Sequence, residues 1–155
     1  MEMSLADLAA RMYIDGKQEA FTAAAHWKER GLTLATKLYP STPGVHKADF
    51  LTAQVEDSLK NLKTDQVDIF YLHAADRSVP FAETLEALND LHKQGKFVRL
   101  GLSNFAAFEV AEIVITCKDR GWVRPTIYQG MYNGEFKDLS LDNQNADNLQ
   151  LLLDQ

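Results

Sequence analysis

Four short apolar runs alternate with amphipathic helical patterns along this chain, and that rhythm constrains its fold more than any other feature. The runs are Leu32–Leu38, Val67–His73, Phe97–Ser103 and Pro125–Met131, beginning about thirty residues apart. Each is strand-sized and rich in β-branched or aromatic residues. Between them Leu51, Val55, Leu59 and Leu62 share one helical face, Phe81, Leu85 and Leu88 a second, and Val110, Val114 and Cys117 a third. Arg30-Gly31, Lys93-Gln-Gly95 and Arg120-Gly121 read as helix ends. Each sets a cation against the negative end of the dipole, then a glycine able to take the left-handed cap. Strand, helix and strand at this period form the βαβ unit, with parallel strands and right-handed crossovers. An α/β fold is expected.

Two architectures use such units. A doubly wound nucleotide fold calls for a Gly-x-Gly-x-x-Gly turn after an early strand, and that spacing is absent. A (β/α)8 barrel instead gathers polar residues at the C-terminal ends of its strands. Here those ends carry Lys37, His73, Ser103 with Asn104, and Gln129, which favours the barrel. A full barrel takes ~250 residues; this chain has 155, and a partial barrel with about half of the strands is expected. Met1 to Met12 read as a short helix through Leu5, Leu8 and Ala9 rather than as a strand. The expected organisation is a partial barrel over 1–133 and a divergent polar tail over 134–155, where the Asn/Asp-rich stretch Asp142–Asn148 breaks the rhythm.

Composition narrows the function classes. With 46% apolar and 25% charged residues the chain is globular rather than disordered. Its formal charge of −6 disfavours nucleic acid and anionic membrane surfaces, both of which need basic patches. The single cysteine, Cys117, makes no internal disulfide, no Cys/His group has zinc-ligand spacing, and no metal is expected. No basic leader followed by a long apolar stretch opens the chain. A soluble, cytoplasmic protein is the expectation.

Tyr13 stands a turn before the first amphipathic helix, while Lys37 and His73 end the first two clear strands. A phenol near an ammonium and an imidazole suits carbonyl reduction, where the developing oxyanion needs a proton donor and hydrogen bonds. A free phenol titrates near ~10, and a neighbouring cation stabilises its anion. Taken singly, a turn tyrosine is commonly a surface aromatic, a strand-end lysine a solvated charge, and a lone histidine a core residue. Ser103-Asn104, read locally, is a helix N-cap. Gln129 offers a donor and an acceptor together, which suits a carboxamide. His26, His46 and His92 receive no chemistry, Cys117 reads as a small buried hydrophobe, and Trp27 and Trp122 as packing groups.

Lys96-Phe-Val-Arg-Leu-Gly-Leu-Ser-Asn-Phe105 is similar to the central signature of the aldo-keto reductase family. Phe70-Tyr-Leu-His73, Ala35-Thr-Lys37 and Tyr128-Gln-Gly-Met-Tyr-Asn133 resemble that family's other strand ends, most of all in its aflatoxin-aldehyde and succinic-semialdehyde reductase branch. The resemblance covers roughly Ala9 to Asn133. It implies a (β/α)8 barrel that reduces aldehydes and ketones to alcohols with NADPH and without metal. By position it makes Tyr13 the proton donor, Lys37 the group that lowers its pKa, and His73 the carbonyl-orienting residue. Ser103, Asn104 and Gln129 match positions that hold the nicotinamide carboxamide.

The chain departs from the family pattern twice. The aspartate of the family's Asp-Thr-Ala-x-x-Tyr motif falls at Leu8, with Asp7 one residue off register. The family also continues past the Gln-x-x-Tyr-Asn strand into further βα units, whereas here the polar tail follows, and the chain reads as truncated. Loops after the last strands usually build the phosphate site, so weak cofactor binding is expected. An open half-barrel exposes sheet edges, which suggests pairing with a second copy or with a full-length reductase. A non-catalytic, partner-binding fragment of the same fold is the competing expectation.

Overall fold

The computed structural model describes residues 5–10 and 16–130, with side chains from 16 onward. Among the described residues five strands and four helices alternate: β1 (Leu5–Ala10), α1 (Gln18–Ala24), β2 (Thr33–Leu38), α2 (Ala48–Leu62), β3 (Val67–Leu72), α3 (Phe81–Lys93), β4 (Phe97–Ser103), α4 (Ala107–Arg120) and β5 (Pro125–Gln129). All neighbouring strands pair in parallel, and their spatial order is their chain order, β1-β2-β3-β4-β5. A doubly wound sheet reverses its strand order at a switch point; this one does not. The order is that of a partial (β/α)8 barrel.

Alternation along each strand divides the apolar residues into two layers. Leu34, Leu38, Phe70, Leu72, Leu100 and Leu102 face the helices and join Leu51, Leu59, Leu88, Val110 and Cys117 in the main core. On the opposite face Ala35, Ile69 and Tyr71 form a smaller cluster with Ile127 packed against it. On the helix-covered face Glu19 of α1 is fully buried, accepting from Thr36 Oγ1 at 2.8 Å and Asn61 Nδ2 at 3.2 Å. Its carboxylate thereby ties α1 to β2 and α2, as a buried polar group must be tied. Cys117 is a buried packing residue, as expected, and its burial pushes the thiol up to about 11. Trp27 and Trp122 are half-buried against the main core, and Arg120 lies over the Trp122 ring at 4.8 Å.

Two expectations are corrected here. The helix expected across Met1 to Met12 is, over Leu5–Ala10, strand β1. Leu5, Leu8 and Ala9 fit a helical spacing locally, but the free edge of β2 offers a ladder of backbone hydrogen bonds, and tertiary pairing overrides local propensity. The register slips between Ala6 and Ala9, so Asp7 and Leu8 together stand opposite Ala35. The helix expected to end at Arg30-Gly31 closes at Ala24, because His26 takes a left-handed backbone (φ 53°) and starts a run of turns. The glycine stops after α3 and α4 lie where expected, with Gly95 at φ 76° and Gly121 at φ 65°.

Candidate active site

Because the strands are parallel, their C-terminal ends share one rim. Lys37 lies opposite Tyr71, and Ser103 opposite Gln129. The Lys37 ammonium donates to the side-chain carbonyl Oε1 of Gln129. These residues sit on β2 and β5, three strand spacings apart, a distance of ~14 Å across a flat sheet. Their contact therefore requires the sheet to curl so that this face is concave, as a barrel interior is. The same ammonium stands 5.3 Å from the centre of the Tyr71 ring.

His73 follows β3 directly, and its backbone N–H donates to Leu38 O at 2.9 Å, joining the ends of β2 and β3. The Tyr39 ring stands edge-on to the imidazole, with ring centres 5.4 Å apart. Ser103 closes β4 and is buried; Asn104 follows in a left-handed conformation (φ 56°). Asparagine tolerates that region because its side chain can bond locally. Here Asn104 Nδ2 donates to His73 O at 2.9 Å and to Ser103 Oγ at 3.0 Å, fixing the ends of β3 and β4 together. Tyr128 on β5 donates its hydroxyl to Phe105 O at 2.9 Å, fixing the next turn.

Lys37, His73, Ser103, Asn104 and Gln129 thus lie along a single rim, joined pairwise by Lys37 to Gln129 and Asn104 to His73. Tyr13 lies outside the described residues, as does the 134–155 tail. The local N-cap reading of Ser103-Asn104 is corrected: α4 is capped at Ala106, whose N–H donates to Glu109 Oε2 at 2.8 Å. The rim residues hold the strand ends instead. Beside Lys37 a cleft of about 330 Å³ is lined by Tyr39, Val45, Phe50, Gln54 and Ser58 among others, a volume within the range of small-molecule sites. Among the described residues no cluster of His, Cys, Asp or Glu could hold a metal ion.

Two features escaped sequence reasoning. One is Tyr71, whose ring fills the space above Gly101. The other is Asp76, which stitches the loops above the rim. Asp76 Oδ2 accepts from the backbone of Gly44 at 3.0 Å and His46 at 3.1 Å, and Oδ1 accepts from Ser78 N at 3.1 Å and Ser78 Oγ at 2.5 Å. Burial pushes this carboxyl up, but the bonds from Ser78 and His46, with the nearby imidazole, outweigh burial and hold it below its ordinary value. His46 is 2% exposed, its Nε2 has no hydrogen-bond partner, and burial lowers it to about 4 against the opposing pull of Asp76. Arg77 makes a forked ion pair with Glu109 at 2.7 and 3.0 Å, joining the same loop to α4. The spacing Asp76-x-Ser78 is an Asx-turn signal that could have revealed the stitch.

Residues 4–142 match the family described as the Aldo/keto reductase family. The chain is 43% identical over 147 residues to aflatoxin B1 aldehyde reductase member 2 of Rattus norvegicus, covering 92% of this chain and 40% of that protein. It is 47% identical over 128 residues to aldo-keto reductase family 7 member A3 of Homo sapiens, covering 80% of this chain and 39% of that protein. With the oxidoreductase sirO of Leptosphaeria maculans it shares 34% identity over 124 residues, or 80% of this chain and 37% of that protein. The chain spans about two-fifths of the length of these relatives. With its sequential parallel sheet and its rim of lysine, histidine, serine, asparagine and glutamine, the chain belongs to the aldo/keto reductase family.

Proposed function

We propose that this chain carries the carbonyl-reducing rim of an NADPH-dependent oxidoreductase that converts aldehydes and ketones to alcohols. The observation that carries this is the bond from Lys37 to Gln129 across the concave face. It sets the cation assigned to the proton donor one hydrogen bond away from the amide assigned to the nicotinamide. NADPH supplies a hydride when bound. Tyr13 is the proton donor, the Lys37 ammonium stabilises its phenolate, and the His73 imidazole orients the carbonyl oxygen.

The nicotinamide carboxamide goes to Ser103, Asn104 and Gln129. Asn104 supports this fit: the residue is exposed, and with its Nδ2 committed to His73 and Ser103 the side chain still has its carbonyl oxygen to offer an amide N–H. The relatives named for aflatoxin B1 aldehyde suggest aldehyde substrates. Among the described residues no helix is long and apolar enough to cross a membrane; a cytoplasmic location is part of the proposal. The test is to mix the protein with NADPH and a simple aromatic aldehyde and follow the reduced nicotinamide's absorbance. Loss of absorbance that requires the aldehyde supports the proposal; none at any cofactor concentration refutes it for this chain.

A second reading has its own observation. Among the described residues β1 pairs only with β2, and β5 only with β4. Those edges suit a chain that acts by pairing with another copy or with a full-length reductase. A stable dimer or mixed complex that does not bind NADPH would favour that reading.

A further inference from the structure

We infer that Tyr71 is a positioning residue for Lys37: its ring is the platform that holds the ammonium at Gln129. The inference rests on the function proposed above for its consequence in catalysis, but its geometry stands alone. Lys37, Tyr71, Gly101 and Ile127 occupy one row across β2, β3, β4 and β5. Within that row Tyr71 is 2% exposed and packs with Ala35, Ile69 and Ile127. Its face receives Lys37 Nζ at 5.3 Å from the ring centre. A cation over an aromatic face is attracted by the ring quadrupole, and more strongly where water is excluded.

Gly101 explains why the ring can lie there. A Cβ on residue 101 would meet Tyr71 Cδ1 at 2.3 Å and Cε1 at 2.4 Å, closer than real Cβ atoms come. Unlike Gly95 and Gly121, Gly101 does not have a left-handed backbone, so room for the ring is what its missing side chain provides. An aromatic ring packed over the neighbouring strand has no flexible end to swing aside. The position of the ring is therefore set by β4, and the position of the ammonium by the ring. Without the platform the lysine, on a four-carbon stem, is free to leave Gln129 for solvent.

The test reads Lys37 directly. In a lysine-labelled proton–carbon spectrum, with the Lys37 signal assigned by its loss in Lys37→Arg, the ε-methylene should lie upfield through the Tyr71 ring current. It should also show a through-space contact to the ring protons. Tyr71→Phe should keep the shift, and Tyr71→Leu and Gly101→Ala should each move it to the ordinary lysine position. Turnover should fall roughly tenfold in Tyr71→Leu, chiefly in kcat, and be largely restored in Tyr71→Phe. A parent protein without the upfield signal or ring contact overturns the inference, as does an unchanged signal in folded Tyr71→Leu. If the parent shows the signal but no turnover, the proposed function fails and the positioning relation stands. If a variant does not fold, the parent's own ring contact decides.

Discussion

Lys37 and Gln129, 92 residues apart in the chain, are joined by a hydrogen bond from the ammonium to the amide carbonyl. That bond ties the C-terminal ends of β2 and β5 together across the rim, and it gives the first expectation. Gln129→Leu should leave the ammonium without this acceptor and remove one contact assigned to the nicotinamide. KM for NADPH should rise about tenfold, the loss of roughly one good hydrogen bond between neutral amides. Steady-state kinetics at varied NADPH check it; a variant with the parent's KM counts against the assignment.

Asn104 carries two tasks, a left-handed backbone and a side chain bound to His73 and Ser103. Asn104→Gly keeps the first and removes the second; Asn104→Ala removes both. The alanine variant should be less stable than the glycine variant by about 1 kcal/mol, as expected for a strained φ. Both should lose cofactor affinity. Urea unfolding separates the backbone effect, and NADPH titration the side-chain effect.

The buried pair above the rim predicts how stability responds to acid. His46 titrates at about 4 in the fold against 6.5 as a free side chain, so the unfolded chain binds more protons throughout that interval. Its contribution is fully present above pH 6.5 and falls away as the pH drops through 4, by about 3 kcal/mol in all. Asp76 is also held low, so its contribution is lost at still lower pH, beneath its ordinary value of 3.8. Urea midpoints measured from pH 7 to pH 4 should therefore decline steeply, and His46→Phe should flatten the slope.

The main core gives a plainer expectation. Leu88 on α3 is fully buried against the sheet, and Leu88→Ala should cost 2–5 kcal/mol through lost transfer energy and a residual cavity. Exposed Ile115 on α4 makes the control: Ile115→Ala should change stability by less than about 0.5 kcal/mol. Chemical denaturation of both variants measures the difference.

The strands β2 to β5 were legible because each carries its pattern in five to seven consecutive residues. Strand β1 was not, because Leu5, Leu8 and Ala9 satisfy a helical spacing as well as a strand, and only the edge of β2 decides between them. Lys37, His73, Ser103, Asn104 and Gln129 were legible as polar residues interrupting apolar runs at the same end of each strand. Tyr71 was hidden because a tyrosine inside an apolar run reads as core, and its platform role depends on Gly101 in the next strand. Asp76 was hidden because two of its partners are the backbone amides of Gly44 and His46, which leave no mark on side-chain identity.

In the proposed reaction Tyr13 protonates the carbonyl oxygen, Lys37 stabilises the phenolate left behind and His73 orients that oxygen. The most direct test compares NADPH oxidation by an aldehyde in the parent chain and in Tyr13→Phe, with folding checked by circular dichroism. The phenylalanine variant should stay folded, bind NADPH as the parent does, and lose at least about a hundredfold in kcat, the scale of a general acid's contribution. Turnover in folded Tyr13→Phe equal to that of the parent would contradict the account.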